Sequence, residues 1–367
     1  FAGAQKCSHI TIKGTSKSNK MSTFDINKLV RKKVLAMPSY SSARDEFKDF
    51  DNDHIFLDAN ENPFENGLNR YPDPKQKSLK KKLSELKKIS EDQIILGNGS
   101  DELLDLLFRA FCEPNQDSVI TLPPTYGMYS VLANLNAVGN KEIVLQNDFE
   151  PNVDLILKAA DETTKILFLC SPNNPTGNSF SEDKMERLLA DFSGLIVIDE
   201  AYIDFSSQES WLQKIEQLPN LIILQTLSKA YGLAGIRLGI LYANAQIIAV
   251  LDKIKPPYNV NKLTQEKALE RIENYDVVLE EIKMILTERE KLIADLNTIA
   301  FIEKIYNSDA NFILVKVDDA KKRYDQLLEK GIVIRNRSNQ ELCGNCLRIT
   351  IGTEKENRKL LEILKSL

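Results

Sequence analysis

From about residue 75 to residue 260 the chain alternates short apolar runs with amphipathic stretches. The apolar runs fall at 93–96, 118–122, 142–145, 165–170, 195–199, 221–225 and 238–242. Runs this short and this continuous, Leu221-Ile222-Ile223-Leu224 among them, read as strands buried on both faces. Helical spacing occupies 100–112, 125–136, 152–160, 181–192 and 208–217. The alternation predicts an α/β fold: a mostly parallel seven-stranded sheet sandwiched by helices.

The flanks read differently. Residues 22–36 carry an amphipathic helical pattern, and Ile55-Phe56-Leu57-Asp58 reads as extended. Asn69-Arg70-Tyr71-Pro72-Asp73-Pro74 must be irregular, because a residue before proline avoids helix. Residues 21–74 therefore form an arm with little core of its own, packing on the rest of the molecule or on a partner subunit. Residues 261–300 are helical almost throughout, with a bend at Asn274-Tyr275. They lead to a smaller α+β domain whose strands fall at 311–317 and 346–351 and whose helices fall at 318–330 and 353–366. The expected organisation is an arm over 21–74, a large domain over 75–260 and a small domain over 261–367. Residues 1–20 are set apart as a disordered leader or an added remnant, since Met21-Ser22-Thr23 makes a natural start.

Composition narrows the chemistry. Of 367 residues, 43% are hydrophobic and 28% charged, and the net charge of -5 offers no basic footprint for nucleic acid. The lysines from Lys75 to Lys88 alternate with Leu79, Leu83 and Leu86 at helical spacing, the mark of a solvated helix face. No window approaches the roughly 18 apolar residues of a membrane span, and residues 1–20 lack the apolar core of a secretory signal. A cytoplasmic location is the expectation. Five scattered cysteines do not resemble a disulfide framework. Cys343-Gly344-Asn345-Cys346 has redox or half-zinc spacing with no second pair or histidine to complete a metal site. With only two histidines, His9 and His54, zinc or triad chemistry has little to work with.

In open parallel sheets ligands collect beyond the carboxyl ends of the strands, so residues there are the first candidates. Asn174-Pro175-Thr176-Gly177 follows strand 165–170, and Asp199-Glu200-Ala201-Tyr202 follows 195–199. Thr226-Leu227-Ser228-Lys229 follows 221–225, with Arg237 eight residues after the lysine. Gly99-Ser100-Asp101 follows 93–96 and opens a helix. Taken singly each has an ordinary explanation, a turn, a helix cap or a surface lysine. Their joint placement and order are harder to assign to chance.

Those signatures resemble the aspartate-aminotransferase-like superfamily of pyridoxal-phosphate enzymes, fold type I, over roughly residues 25–367. Further stretches are similar to its histidinol-phosphate aminotransferase branch: Tyr40 and Arg44, Asn69-Arg70-Tyr71-Pro72, Pro124-Thr125-Tyr126-Gly127-Met128-Tyr129 and Leu347-Arg348-Ile349-Thr350-Ile351-Gly352. The resemblance implies transamination, with histidinol phosphate and 2-oxoglutarate as the expected pair. On the same framework an aromatic or broad-specificity aminotransferase and a threonine-phosphate decarboxylase compete. A non-catalytic binding module is the reading from another class.

Pyridoxal phosphate has definite needs. Lys229 supplies the primary amine for a Schiff base and then a local base. Asp199 belongs under the pyridine nitrogen, where a carboxylate favours the protonated ring. Tyr202 and Asn174 are placed for the ring hydroxyl oxygen, and Tyr126 for the ring face or for core packing. The phosphate calls for the helix N-terminus at Gly99, Ser100 and Asp101, the hydroxyls of Thr226 and Ser228, and the Arg237 fork. By the resemblance Tyr71 reaches the phosphate of a neighbouring subunit, which makes the expected assembly a homodimer with shared sites. Arg335, following Ile332-Val333-Ile334, and Arg348 are the candidate readers of anionic substrate groups, because an inward arginine is costly without a partner. The resemblance adds Tyr40 and Asn60 as substrate contacts, and Arg337 and Arg44 as further charge.

Overall fold

The computed structural model describes residues 25–38 and 55–367. The leader, residues 22–24 of the expected first helix, Tyr40 and Arg44 lie outside the described residues. The chain runs α1 (Lys32–Ala36), α2 (Lys77–Lys87), β1 (Ile94–Asn98), α3 (Ser100–Phe111), β2 (Ser118–Thr121), α4 (Met128–Leu135) and β3 (Gly139–Glu142). It continues through α5 (Val153–Ala159), β4 (Thr164–Cys170), α6 (Glu182–Asp191), β5 (Leu195–Asp199), β6 (Leu221–Thr226), β7 (Leu238–Ala243) and α7 (Ala245–Ile254). The last third holds α8 (Lys262–Glu273), α9 (Tyr275–Leu296), β8 (Ile302–Ile305), β9 (Phe312–Val317), α10 (Ala320–Glu329), β10 (Arg335–Asn336), β11 (Cys346–Thr350) and α11 (Glu354–Ser366).

Seven strands form one sheet in the order β1-β7-β6-β5-β4-β2-β3. Only β7 runs antiparallel, to β1 and to β6. Leu167 and Leu169 of β4 face one core, under α2, α5 and α6, while Ile166 and Phe168 face the other, under α3, α4 and α7. Burial on both faces is why these strands read as continuous apolar runs rather than alternating ones. The second sheet, β10-β11-β9-β8, is antiparallel, and α10, α11 and the end of α9 cover its core. Helices α8 and α9 connect the two sheets across the bend at Asn274.

Local pattern and structure part at several points, each with a physical reason. The helix expected over 22–36 is a 3-10 turn at Ile26–Lys28 followed by the short α1. Tertiary contacts claim the residue between them: Arg31 N–H donates to Ala110 O and its guanidinium pairs with Glu113 at 3.3 Å. The strand expected at 142–145 is β3 at Gly139–Glu142. Beyond it, Ile143 and Leu145 still donate to Thr121 O and Pro123 O, but Pro123 and Pro124 have no N–H to return and the ladder ends. In place of a helix over 208–217 there is one 3-10 turn, Trp211–Lys214. The buried Glu200 carboxylate takes the Trp211 N–H (2.8 Å) and the Ser210 hydroxyl (2.5 Å) instead. Strand β10 is Arg335–Asn336 rather than the preceding Ile332–Ile334, and β8 was not anticipated. On the lysine-rich α2, Lys80 is buried, only 8% exposed, and desolvation lowers its pKa.

One close approach sets the geometry at the head of β1. Strand β7 crosses beneath the β1–α3 turn, and Gly99 N–H donates to Arg237 O at 2.8 Å. A Cβ on Gly239 would lie 2.5 Å from Gly99 C and Ser100 N, so only glycine lets the backbones meet. Gly239→Ala is expected to cost about 1–3 kcal/mol by overpacking. It should lower the melting temperature by a few degrees in thermal unfolding. Gly344→Ala, where an added Cβ meets nothing within 4 Å, should leave the melting temperature within about one degree.

Candidate active site

At the carboxyl ends of β4, β5 and β6 the two sheets leave a cavity of about 470 Å³ between them. Its lining includes Ser100, Asp101, Tyr126, Asn174, Asp199, Tyr202, Thr226, Ser228, Lys229, Arg237, Arg335 and Arg348. Gly99 adjoins it, since a Cβ there would stand 2.7 Å from an Arg237 guanidinium nitrogen. The cavity thus gathers residues spread over some 250 positions of sequence.

Its floor is Asp199, the last residue of β5, 4% exposed. Tyr129 O–H donates to its Oδ2 at 2.7 Å and Ala201 N–H to its Oδ1 at 3.1 Å. Burial pushes its pKa up to about 6, the two hydrogen bonds opposing the shift. A desolvated carboxylate with no cation bonded to it among the described residues favours a positive partner in the cavity. Tyr129 was absent from the sequence-based set. It lies one helical turn after Tyr126, and that i,i+3 spacing was the available signal.

Lys229 projects from the loop after β6, with its Nζ 5.8 Å from the centroid of the Tyr202 ring. Although it opens into the cavity, the surrounding walls desolvate the ammonium and lower its pKa. Arg348 and Arg237 act in the same sense, opposed by Asp199 and Asp101. The outcome is a larger neutral, nucleophilic fraction near pH 7 than a surface lysine has.

One end of the cavity is built for an anion. The N-terminus of α3 opens there at Ser100, and Arg237 and the Thr226–Ser228 loop flank it. Thr226 Oγ1 accepts the Ser228 N–H at 3.1 Å, which fixes the loop. Asp101 is not simply a backbone donor: its carboxylate accepts the Tyr126 hydroxyl at 2.9 Å and sits 3.7 Å from Arg237. It orients both side chains. The Tyr126 ring stands edge-on to Tyr129, with centroids 5.6 Å apart at 85°.

The Asn-Pro-Thr-Gly turn divides its labour. Asn173 is fully buried, donating to Pro124 O and Thr176 Oγ1 and accepting from Thr125, so it ties the loops after β2 and β4 together. Asn174 faces the cavity, its Oδ1 bonded to Arg348 Nη1. Gly177, at φ +87°, lies against Ser308, and its carbonyl accepts Asp309 N–H at 2.7 Å. That contact seats the small sheet over the large one.

The far wall comes from the small sheet. Arg335 and Arg348 sit directly opposite each other on β10 and β11, where paired like charges are ordinarily destabilising. Arg348 is half-buried over the Phe312 ring at 5.1 Å, and its Nε is buried without a hydrogen-bond partner. Burial brings its pKa down to about 10, helped by Arg337 and Arg335. Arg337 and Gln340 complete the wall. Gln340 follows no pattern that would have identified it from sequence.

Two predicted residues do not join this cavity. Asn60 and Tyr71 line a separate groove with Arg70, Pro72, Lys262 and Leu263. The Tyr71 ring stacks on Tyr258 at 4.5 Å, and its N–H donates to Glu61, which also pairs with Arg70 at 2.7 Å. Within one chain Asn60 is therefore not placed to touch what Lys229 touches. The arm groove and the cavity are nevertheless linked. Asn259, next to Tyr258, donates to Leu96 O and to Glu102 in the first turn of α3, both at 3.0 Å.

An amine, a buried carboxylate and an anion cradle on separate walls are a donor set that fits pyridoxal phosphate. Lys229 would hold its aldehyde carbon, Asp199 its ring nitrogen, and the α3 turn with Ser228 and Arg237 its phosphate.

Comparison with known proteins agrees. Residues 48–364 match the family described as aminotransferase class I and II. The chain is 64% identical to a histidinol-phosphate aminotransferase of Flavobacterium psychrophilum, over 95% of this chain and 100% of that protein. It is 60% identical to the protein of the same name from Christiangramia forsetii, over 95% of this chain and 99% of that one. Among solved structures, the histidinol-phosphate aminotransferase from Clostridium acetobutylicum superposes with a TM-score of 0.75 at 28% identity, covering 82% of this chain and 90% of that one. The chain belongs to the aminotransferase class I and II family.

Proposed function

We propose that this chain is a pyridoxal-phosphate-dependent aminotransferase exchanging an amino group between histidinol phosphate and 2-oxoglutarate, giving imidazole-acetol phosphate and glutamate in histidine biosynthesis. The observation that carries the reading is the facing of two walls. A desolvated lysine and a buried carboxylate stand on one side, and arginines at paired strand positions, without a carboxylate partner among the described residues, stand on the other. The names of the 60–64% identical relatives supply the substrate.

Bound there, pyridoxal phosphate supplies an electron sink that stabilises negative charge on the amine-bearing carbon. Asp199, ionised above about pH 6, keeps the ring nitrogen protonated. Lys229 would be the attachment point, and its Nζ is the base placed to take and return the proton at the reacting carbon. Asn174 and Tyr202 would hold the ring through its hydroxyl, and Tyr126 would pack against it. Arg348, held by Asn174 and the Phe312 face, binds an anionic group of the substrate, with Arg335 beside it. Both amino donors carry negative charge, so one pocket can serve both halves of a ping-pong reaction.

The arm supports a homodimer. Ile55, Leu57 and Phe64 are 85%, 86% and 79% exposed, a density of uncovered apolar side chains that argues for a covering surface. Tyr71 and Asn60 lie beside them and apart from the cavity of their own chain. A second copy is the covering surface we infer, with Tyr71 reaching the cofactor phosphate across it. No helix among the described residues is long and apolar enough to cross a membrane.

Three outcomes test this reading. Purified protein loaded with pyridoxal phosphate should show visible absorption that borohydride abolishes. Lys229→Ala should lose that signature and at least about 10³-fold of turnover; equal spectra would remove the assignment. In a substrate panel histidinol phosphate should be preferred over phenylalanine and threonine phosphate, and Arg348→Met should raise its KM by about 10–100-fold through loss of a charged hydrogen-bond pair. Light scattering should give the mass of two chains, and a monomer at micromolar concentration would exclude the shared site.

A further inference from the structure

The arginine wall carries more positive charge than a single carboxylate can use. Register places Arg335 opposite Arg348, and Arg337 N–H donates to Cys346 O at 2.8 Å, continuing the ladder one step past β10. Side chains alternate along a strand, so Arg337 emerges on the same face as Arg335 and, across the ladder, as Arg348. All three line the cavity. No carboxylate among the described residues forms an ion pair with any of them. Arg337 is half-buried, its Nε has no hydrogen-bond partner, and its neighbours are Arg335, Tyr202 and Cys343. Burial and Arg335 both lower its pKa.

Three clustered guanidiniums repel one another, and buried N–H groups left unpaired are costly. Such a cluster persists where a ligand brings matching charge. One arginine fork satisfies a carboxylate in bidentate fashion, and Arg348, tied to Asn174 on the cofactor side, already supplies it. Arg335 on β10 and Arg337 one step past its end, an i,i+2 pair, form a second fork pair beside it. A phosphate monoester carries nearly two charges and three acceptor oxygens at neutral pH, which matches that pair in charge and in acceptor number.

We infer that Arg337 is a specificity-determining residue, the third arginine that makes this pocket prefer an amine bearing a phosphate monoester over the same amine without one. Arg335 and Arg337 together hold the phosphate oxygens, while Arg348 also serves the carboxylate of the other amino donor. This rests on the reading of the site as that of a phosphate-substrate aminotransferase.

The experiment compares kcat/KM for histidinol phosphate and for histidinol in the wild-type holoenzyme, in Arg337→Gln and in Arg337→Lys. In the wild type the phosphorylated amine should be strongly preferred; absence of that preference would overturn the substrate reading itself. Given the wild-type preference, Arg337→Gln should reduce the ratio of the two kcat/KM values by about tenfold or more, as loss of a charged hydrogen-bonding partner predicts. The effect should fall on KM for the phosphorylated substrate. Arg337→Lys, which keeps the charge and loses the fork, should recover part of the ratio. An unchanged ratio in Arg337→Gln, with cofactor absorption and melting temperature at wild-type values, would overturn the inference. So would an equal fall in kcat/KM for both amines, because that marks a structural role.

Discussion

A carboxylate buried in the mouth of a parallel sheet is the constraint from which the rest of this molecule follows. Asp199 is the last residue of a strand whose every position is buried. It is stabilised by one tyrosine hydroxyl and one backbone N–H, and burial, with Asp101 adding to it, holds its pKa above the usual carboxylate range. Charge placed in so dry a position is expensive without a counter-charge. Around it the protein sets a nucleophilic lysine, an anion cradle and an arginine wall, and leaves open the space that a cationic ring would occupy. The seven-stranded sheet positions the lysine, the carboxylate and the cradle, and the small sheet brings the arginines to face them.

Two sheets divide the work. The large one carries the groups assigned to the cofactor, on loops that leave β4, β5 and β6 together with the turn into α3. The small one carries the groups assigned to substrate, and it is seated by the contact of Gly177 with Ser308 and Asp309. Arg348 crosses the boundary, because it belongs to β11 yet hydrogen-bonds to Asn174 of the large sheet. A shift of the small sheet would move the arginines and reorient Asn174 at once, so substrate reading and cofactor alignment are mechanically joined. The second connection, from Glu102 through Asn259 to the loop bearing Tyr258, joins the phosphate turn to the arm in the same way.

The core of the fold was legible because buried parallel strands are locally conspicuous. Six of the seven apolar runs became strands; the run at 142–145 lies just past β3, an edge strand of polar residues with little burial to mark it. Thirteen of the residues expected around the cofactor and substrate line one cavity, since a strand end is visible in sequence and the parallel fold brings strand ends together. What misled the pattern was competition from distant groups. Glu200 captured the backbone that would have begun a helix at Ser210, and Arg31 left its helix for Ala110 and Glu113. Lys80 looks solvated on its own helix, yet its surroundings bury it.

By itself the sequence determined most of the large sheet's strands, most of the helices that cover them, the lysine, the carboxylate and the glycine turn into α3, because these are set by residue type within a few positions. Tertiary structure alone decided the pairing of Arg335 with Arg348, the addition of Arg337 to the same face, the bond from Tyr129 to Asp199 and the separation of Tyr71 and Asn60 from the lysine of their own chain. Those are matters of register and of segments meeting across tens to hundreds of residues. Local periodicity carries no information about which strand lies opposite which, and a one-residue slip would have sent each arginine to the other face.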